Sequence, residues 1–413
     1  MEDILVFLKG QTQSHGIEPI KQALRLLKAD TSPGTRTAVI AGTNGKGSTG
    51  ATLQTLLAET GKNVGFFSSP HLMKINERIK LNGNDISDEE FCEIFHLVHE
   101  KVRRFDFSCF EYLTLMAAVC FFRIRRVDFA VFEIGLGGTL DSVNAVSHEV
   151  SIITRLGMDH EAILGDSAKE IAANKLGIVS EGNRVFHLEF QDEEIRRLSR
   201  EIAQKFRAEF TEVRPYDYVV DATGKYPVFL LKTPFGDFPL NLQGKRAAEN
   251  TSLALAVFSH LVGDIRPFLP ALKRVNWPGR MEKIVFGNRD VFLSGDHNPQ
   301  GIDSLLEILR HYKFEKVHFV IGICSDKKHS EMLEKLTGFP NSLLYLTETP
   351  ERTLPVQDYD ERFRRAATFV SPNPTEALNA ALANASEHDL TVVTGSLYLA
   401  GKIKAAVGAP SPG

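Results

Sequence analysis

The run Gly42-Thr43-Asn44-Gly45-Lys46-Gly47-Ser48-Thr49 stands between an apolar, β-branched stretch at 37–41 and a stretch of helical periodicity at 48–60 that Gly61 closes. A strand, a glycine-rich turn and a helix in that order make an anion site, because the first amides of the helix converge there and glycine lets the backbone close on phosphate. Lys46 can neutralise β and γ phosphates, and the hydroxyl of Ser48 or Thr49 can ligate Mg2+. The spacing departs from the usual G-x-x-x-x-G-K-[ST] loop: Gly42 lies only three residues before Gly45, and Gly47 separates Lys46 from Ser48. A plain glycine turn with a solvated lysine is the alternative, and the flanking strand and helix argue against it.

The same alternation continues along the chain. Strands are expected near 64–67, 129–134, 150–154 and 185–188, with helices near 88–104, 111–125, 167–176 and 192–207. This order implies a parallel sheet covered on both faces. Ser87 with Glu90 and Ser167 with Glu170 are capping boxes at two helix starts. Residues 209–242, rich in Tyr, Val, Phe, Pro and Gly, read as a short antiparallel excursion before a helix at 246–262. After Trp277-Pro278-Gly279-Arg280 the alternation restarts, with strands near 290–295, 316–323, 342–347, 366–370 and 390–394. The expected fold is α/β: an amino-terminal P-loop ATPase-like domain over 1–282 with a parallel sheet, then a smaller Rossmann-like α/β domain over 283–413. The tail at 408–413 is expected to fray.

Composition removes other classes of function. With 413 residues, 43% hydrophobic and 24% charged, the chain is an ordinary globular protein of two or three domains. Its net charge of -4, from 48 basic and 52 acidic residues, speaks against bulk attraction to nucleic acid or anionic membrane. The longest apolar stretch, 113–122, is too short for a bilayer, and the amino terminus lacks a secretory pattern, so the cytoplasm is the expected compartment. Cys92, Cys109, Cys120 and Cys324 form no Cys-x-x-Cys pair and are expected as reduced thiols in the core.

Further blocks fall in order: Ser69-Pro70-His71-Leu72, Asn76-Glu77-Arg78-Ile79, Phe110-Glu111 with Thr114, Glu133-Ile134-Gly135-Leu136-Gly137-Gly138, and Leu140-Asp141 with Asn144. Asp159-His160, Leu164-Gly165, Lys175, Pro278-Gly279-Arg280, His297-Asn298-Pro299 and Thr394-Gly395-Ser396-Leu397-Tyr398 follow. Together with the variant loop they resemble the ATP-dependent Mur ligase superfamily, most closely its folylpolyglutamate synthase and dihydrofolate synthase branch. The resemblance spans about residues 10–400.

Glu133 at the end of one apolar strand and His160 just beyond another stand at the crevice edge where parallel sheets bind ligands, and a carboxylate with an imidazole there suggests Mg2+ ligation. The resemblance implies that Ser69 and Glu133 hold one Mg2+, that Glu133 and His160 help hold a second, and that Lys175 is carbamylated and supports the second. It also implies nucleotide contacts from the loop 42–49, Asn250 and Arg280, to which Asp296 is a further candidate. Asp141 resembles a pterin-side contact and Arg78 a glutamate-side contact, while His297 and Ser396 resemble elements that engage the incoming glutamate. ATP and Mg2+ are the implied cofactors, with a monovalent cation such as K+ as an optional addition.

Two positions depart from the family pattern. Ser294 stands where a ribose-binding carboxylate is usual, so that either Asp296 substitutes or the contact is lost. Thr139 stands where an arginine is usual. The reading is an ATP-dependent ligase that phosphorylates a carboxylate and joins it to L-glutamate. The loop begins at Gly42, leaving no room for the UDP-sugar domain of a peptidoglycan ligase, so the acceptor is expected to be dihydropteroate, a reduced folate, or both. The chain is expected to act as a monomer. A nucleotide-dependent switch and a P-loop kinase are the alternatives from other classes.

Overall fold

The computed structural model describes residues 1–11, 16–30, 32–158, 161–189 and 192–407. The expected metal ligand His160, its neighbour Asp159 and the tail at 408–413 lie outside the described residues. The first sheet contains β1 (Arg36–Ala41), β2 (Val64–Phe67), β3 (Ile79–Leu81), β4 (Asn84–Asp85), β5 (Phe129–Glu133), β6 (Val150–Ile153), β7 (Arg184–Leu188) and β8 (Glu209–Val213). Their order is β4-β3-β2-β5-β1-β6-β7-β8, parallel except for the β3 and β4 edge. β9 (Tyr218–Asp221), β10 (Val228–Thr233) and β11 (Gly236–Leu240) form a separate antiparallel sheet. The third sheet holds β12 (Arg280–Phe286), β13 (Arg289–Ser294), β14 (Val317–Ile321), β15 (Ser342–Leu346), β16 (Phe369–Val370) and β17 (Leu390–Thr394). Its order is β12-β13-β17-β14-β15-β16, parallel except for β12.

The antiparallel excursion expected at 209–242 starts later than the sequence suggests. β8 pairs parallel with β7, because the helix Glu193–Lys205 carries the chain over the sheet in one more strand–helix–strand unit. The unexpected strand β12 begins at Arg280, directly after the Pro278-Gly279 turn. Met281 has φ 50° and the register shifts between Arg280 and Glu282, which interrupts the period-two pattern that marks a strand. The helix expected at 111–125 is an α-helix, Cys109–Ala118, running into a π-helical stretch, Val119–Ile124.

β1 is an apolar run buried on both faces, which is what a central parallel strand requires. One face of the first sheet packs under Glu2–Gly10, Ile17–Leu27, Asp88–Val102 and Cys109–Ala118. The other packs under Lys46–Ala58 and Gly244–Leu261, and this apolar cluster continues without a break into Phe292, Leu305, Phe319 and Met332 of the carboxyl-terminal unit. Cys120 and Cys324 are buried free thiols, whereas Cys92 and Cys109 are half-buried and free. No described helix is long and apolar enough to cross a membrane. What the fold delivers is a register: Ile40 of β1 lies opposite Glu133 of β5 and Ala41 opposite Ile153 of β6, so the strand ends that matter stand side by side where the chain turns into Gly42.

Candidate active site

The loop after β1 opens the helix Lys46–Ala58, whose first-turn amides face a cavity of about 260 Å³ lined by Thr43 to Ser48, Ser69, Glu133, Lys175 and Arg280. Gly45 has φ 97°, and a Cβ there would lie 2.3 Å from Oδ1 of Asn250. That places Asn250 behind the loop. Gly47 is closed off in the same way by Trp277, at 2.4 Å. Thr43 and Asn44 amides donate to the Arg155 carbonyl, and the Thr43 hydroxyl donates to the Gly157 carbonyl at 2.8 Å. The loop is therefore held open for an anion. Ser48 lines the cavity, whereas Thr49 is fully buried in the helix and is not among the lining residues.

Lys46 Nζ and Lys175 Nζ each donate to the Gly42 carbonyl at 3.1 Å, so the cation of the loop and the lysine of the helix Ala168–Lys175 meet on one oxygen. Lys175 is only 3% exposed. Thr139 gives both its amide and its hydroxyl to the Asn174 carbonyl, each at 3.0 Å, and thereby ties down the end of the helix that carries Lys175.

Glu133 is buried at the end of β5 and accepts from the Ser69 amide at 3.3 Å. Burial pushes its carboxyl up to about 7, against the opposing pull of Lys46, the Ser69 amide and two arginines. A carboxylate so poorly solvated beside the Ser48 and Ser69 hydroxyls fits a small hard cation. Mg2+ takes one or two carboxylates together with phosphate oxygens.

A second cavity of about 700 Å³ adjoins the first and shares Ser69, Pro70, Gly135, Leu136, His297 and Leu397 with it. Arg78, Asp141, His297 and Ser396, all expected as substrate contacts, line it together. Asp141 is chiefly a loop anchor: its carboxylate accepts from the Leu136 and Val143 amides at 2.9 Å each, and burial pushes it up to about 6. Arg78 donates through Nε to Nδ1 of His71 at 2.9 Å, and burial followed by the Arg78 charge pushes His71 down to about 4. The arginine thus keeps its positive charge available to the cavity. The carboxyl-terminal unit supplies the far wall. His297 Nδ1 lies 2.9 Å from the Gly295 carbonyl, and Ser396 is buried with its oxygen 3.6 Å from the Cys324 sulfur. Arg280 meets Asp296 at 3.4 Å, while Ser294 donates its hydroxyl to the same carboxylate at 2.5 Å. Trp277, His71 and Cys324 were given no site role from the sequence, although His71 and Trp277 stand in blocks that it marks.

A phosphate-type loop, a buried carboxylate at its side and a second α/β unit whose Arg280 and His297 reach the same cavity define a nucleotide-dependent enzyme working between two domains. Residues 40–258 match the Mur ligase middle domain and residues 279–397 the Mur ligase glutamate ligase domain. The dihydrofolate synthase/folylpolyglutamate synthase of Bacillus subtilis is 30% identical over 385 residues, covering 88% of this chain and 89% of that one. E. coli FolC in complex with DHPP and ADP superposes with a TM-score of 0.83 at 25% identity, over 98% of this chain and 97% of that one. Mycobacterium tuberculosis folylpolyglutamate synthase complexed with ADP shares the fold, with a TM-score of 0.88 at 24% identity over 99% and 98% of the two chains. The chain belongs to the Mur ligase family, in its dihydrofolate synthase/folylpolyglutamate synthase branch of ATP-dependent ligases. That membership sets aside the switch and the kinase.

Proposed function

We propose that this chain joins L-glutamate to dihydropteroate, to reduced folates, or to both, through an acyl phosphate. The observation that carries this reading is the shared wall of the two cavities, which sets a group phosphorylated in the smaller one beside the larger one, where an acceptor and glutamate have room. In this reading an oxygen of the acceptor carboxylate attacks the γ phosphorus and ADP leaves. The amine nitrogen of glutamate then attacks the acyl carbon, phosphate leaves, and the nitrogen loses a proton. Lys46 and the loop amides spread the charge of the transferring phosphoryl group. Ser48, Ser69 and Glu133 would hold an Mg2+ that would add charge neutralisation, and Glu133 with His160 and Lys175 would hold a second. Arg78 and His297 orient carboxylates by charge and hydrogen bonding, and the gain is one of proximity. An ATP-binding unit that ends near residue 282 and the glutamate unit that follows it, with Arg280 of β12 at the junction, act together in a cytoplasmic monomer.

Phosphate release from ATP, Mg2+ and glutamate should require dihydropteroate or tetrahydrofolate, with UDP-linked muramoyl substrates inert. Turnover of a UDP-sugar peptide at a comparable rate would overturn the reading. Asp296 stands in for the missing carboxylate at Ser294 by fixing Arg280. Asp296→Ala is therefore expected to raise the KM for ATP about tenfold, the order of one charged hydrogen bond. A defect confined to the KM for glutamate would instead trace to the neighbouring His297.

A further inference from the structure

Gly401 sits in the body of the helix Leu397–Val407, where glycine weakens a helix and calls for a reason. A Cβ on Gly401 would lie 2.0 Å from the carbonyl oxygen of Leu72 and 3.0 Å from its carbonyl carbon. The obstacle is main chain, so no rotamer relieves it. Nor can the Leu72 segment retreat easily. The Leu72 amide donates to Glu77 Oε2 at 2.6 Å, and the Met73 and Lys74 amides each donate to Glu77 Oε1 at 2.8 Å.

The helix is equally fixed on its own side. Leu397 packs over Gly279 and Gly295, and Lys404 pairs at 2.5 Å with Glu282, which also accepts from the Gly279 amide at 3.0 Å. Leu72 lines the smaller cavity, and three residues earlier in the chain Ser69 lines both cavities and reaches Glu133. The carboxyl-terminal helix therefore bears directly on the loop that roofs the reacting centre.

We infer that Gly401 is a positioning residue: by admitting the Leu72 carbonyl into the helix surface, it seats the Ser69 loop so that the cleft closes against water while the acyl phosphate exists. This inference rests on the acyl phosphate reading above. The reaction being excluded is hydrolysis, in which a water oxygen bonds to the acyl carbon, the bond from that carbon to the phosphate oxygen breaks, phosphate leaves, and a proton is released as the acceptor carboxylate is regenerated. Both routes consume one ATP, and only the attack by glutamate nitrogen leaves an amide.

The ratio of phosphate released to amide formed is the readout, since a general loss of folded enzyme lowers both rates and leaves the ratio at its wild-type value. Gly401→Ala should raise that ratio at least twofold and cut amide formation at least tenfold, with ADP affinity in the presence of Mg2+ within twofold of wild type. Lys402→Ala, on the exposed side of the same helix, should leave the ratio unchanged. If Gly401→Ala does not fold, Glu77→Gln decides the matter, because loosening the Leu72 turn from the other side should also raise the ratio. A wild-type ratio in a folded Gly401→Ala protein, or in Glu77→Gln where the first does not fold, overturns the inference. Absence of any glutamyl amide from the wild-type enzyme would instead overturn the underlying reading.

Discussion

Lys46→Ala loses amide formation by about a thousandfold, the order seen when one preorganised charge at a developing anion is removed. The protein stays folded. Among the described residues the Lys46 side chain makes one hydrogen bond, to the Gly42 carbonyl, and that oxygen also accepts from Lys175, so stability should change by no more than about 1 kcal/mol. Steady-state turnover beside a thermal unfolding curve separates the two effects. Lys46→Arg should recover little, since a guanidinium is broader than an ammonium and the loop is walled by Asn250 and Trp277. Undiminished turnover in the alanine variant would remove the phosphate-loop assignment.

Lys175→Ala is the second large loss, expected at about a hundredfold or more on the scale of removing an electrostatic group from a reacting site. The proposal behind it is that Lys175 is carbamylated: its neutral amine nitrogen bonds to the carbon of CO2, a proton leaves, and the side chain becomes an anion. That step needs the neutral amine, and Lys175 is only 3% exposed. Partial rescue of Lys175→Ala by a short carboxylic acid, and a carbamate resonance after growth with 13C-bicarbonate, are the expected results. An unmodified Lys175 salt-bridged to a carboxylate in a metal-loaded crystal would return it to the role of a helix-end cation.

Much of the site was readable because its residues stand at strand ends, where a local pattern of apolar run and turn fixes position. The Gly42 loop and Glu133 were placed in that way, whereas His297 came from the family resemblance. The β3–β4 hairpin was missed although Asn82-Gly83 is a strong turn signal, with φ 50° and 86°, because its strands are three and two residues long and carry no periodicity. The role of Asp141 was legible only in part. The sequence points to a contact with substrate, whereas the structure shows a carboxylate spent largely on backbone amides of its own loop. No local pattern could pair Arg78 with His71 or set Gly401 under Leu72, since those contacts depend on how distant segments pack.

The unbroken apolar cluster that joins the helix Gly244–Leu261 to the carboxyl-terminal unit limits how this molecule can open. Parting that seam would expose hydrocarbon at about 25 cal/mol per Å², whereas across the cleft around Lys46 and His297 the apolar contact is the smaller one of Leu72 with the carboxyl-terminal cluster. An opening of the two halves would therefore resemble that of a book, bound along an oily spine and only lightly clasped at the fore-edge, where the Leu72 loop meets the helix Leu397–Val407.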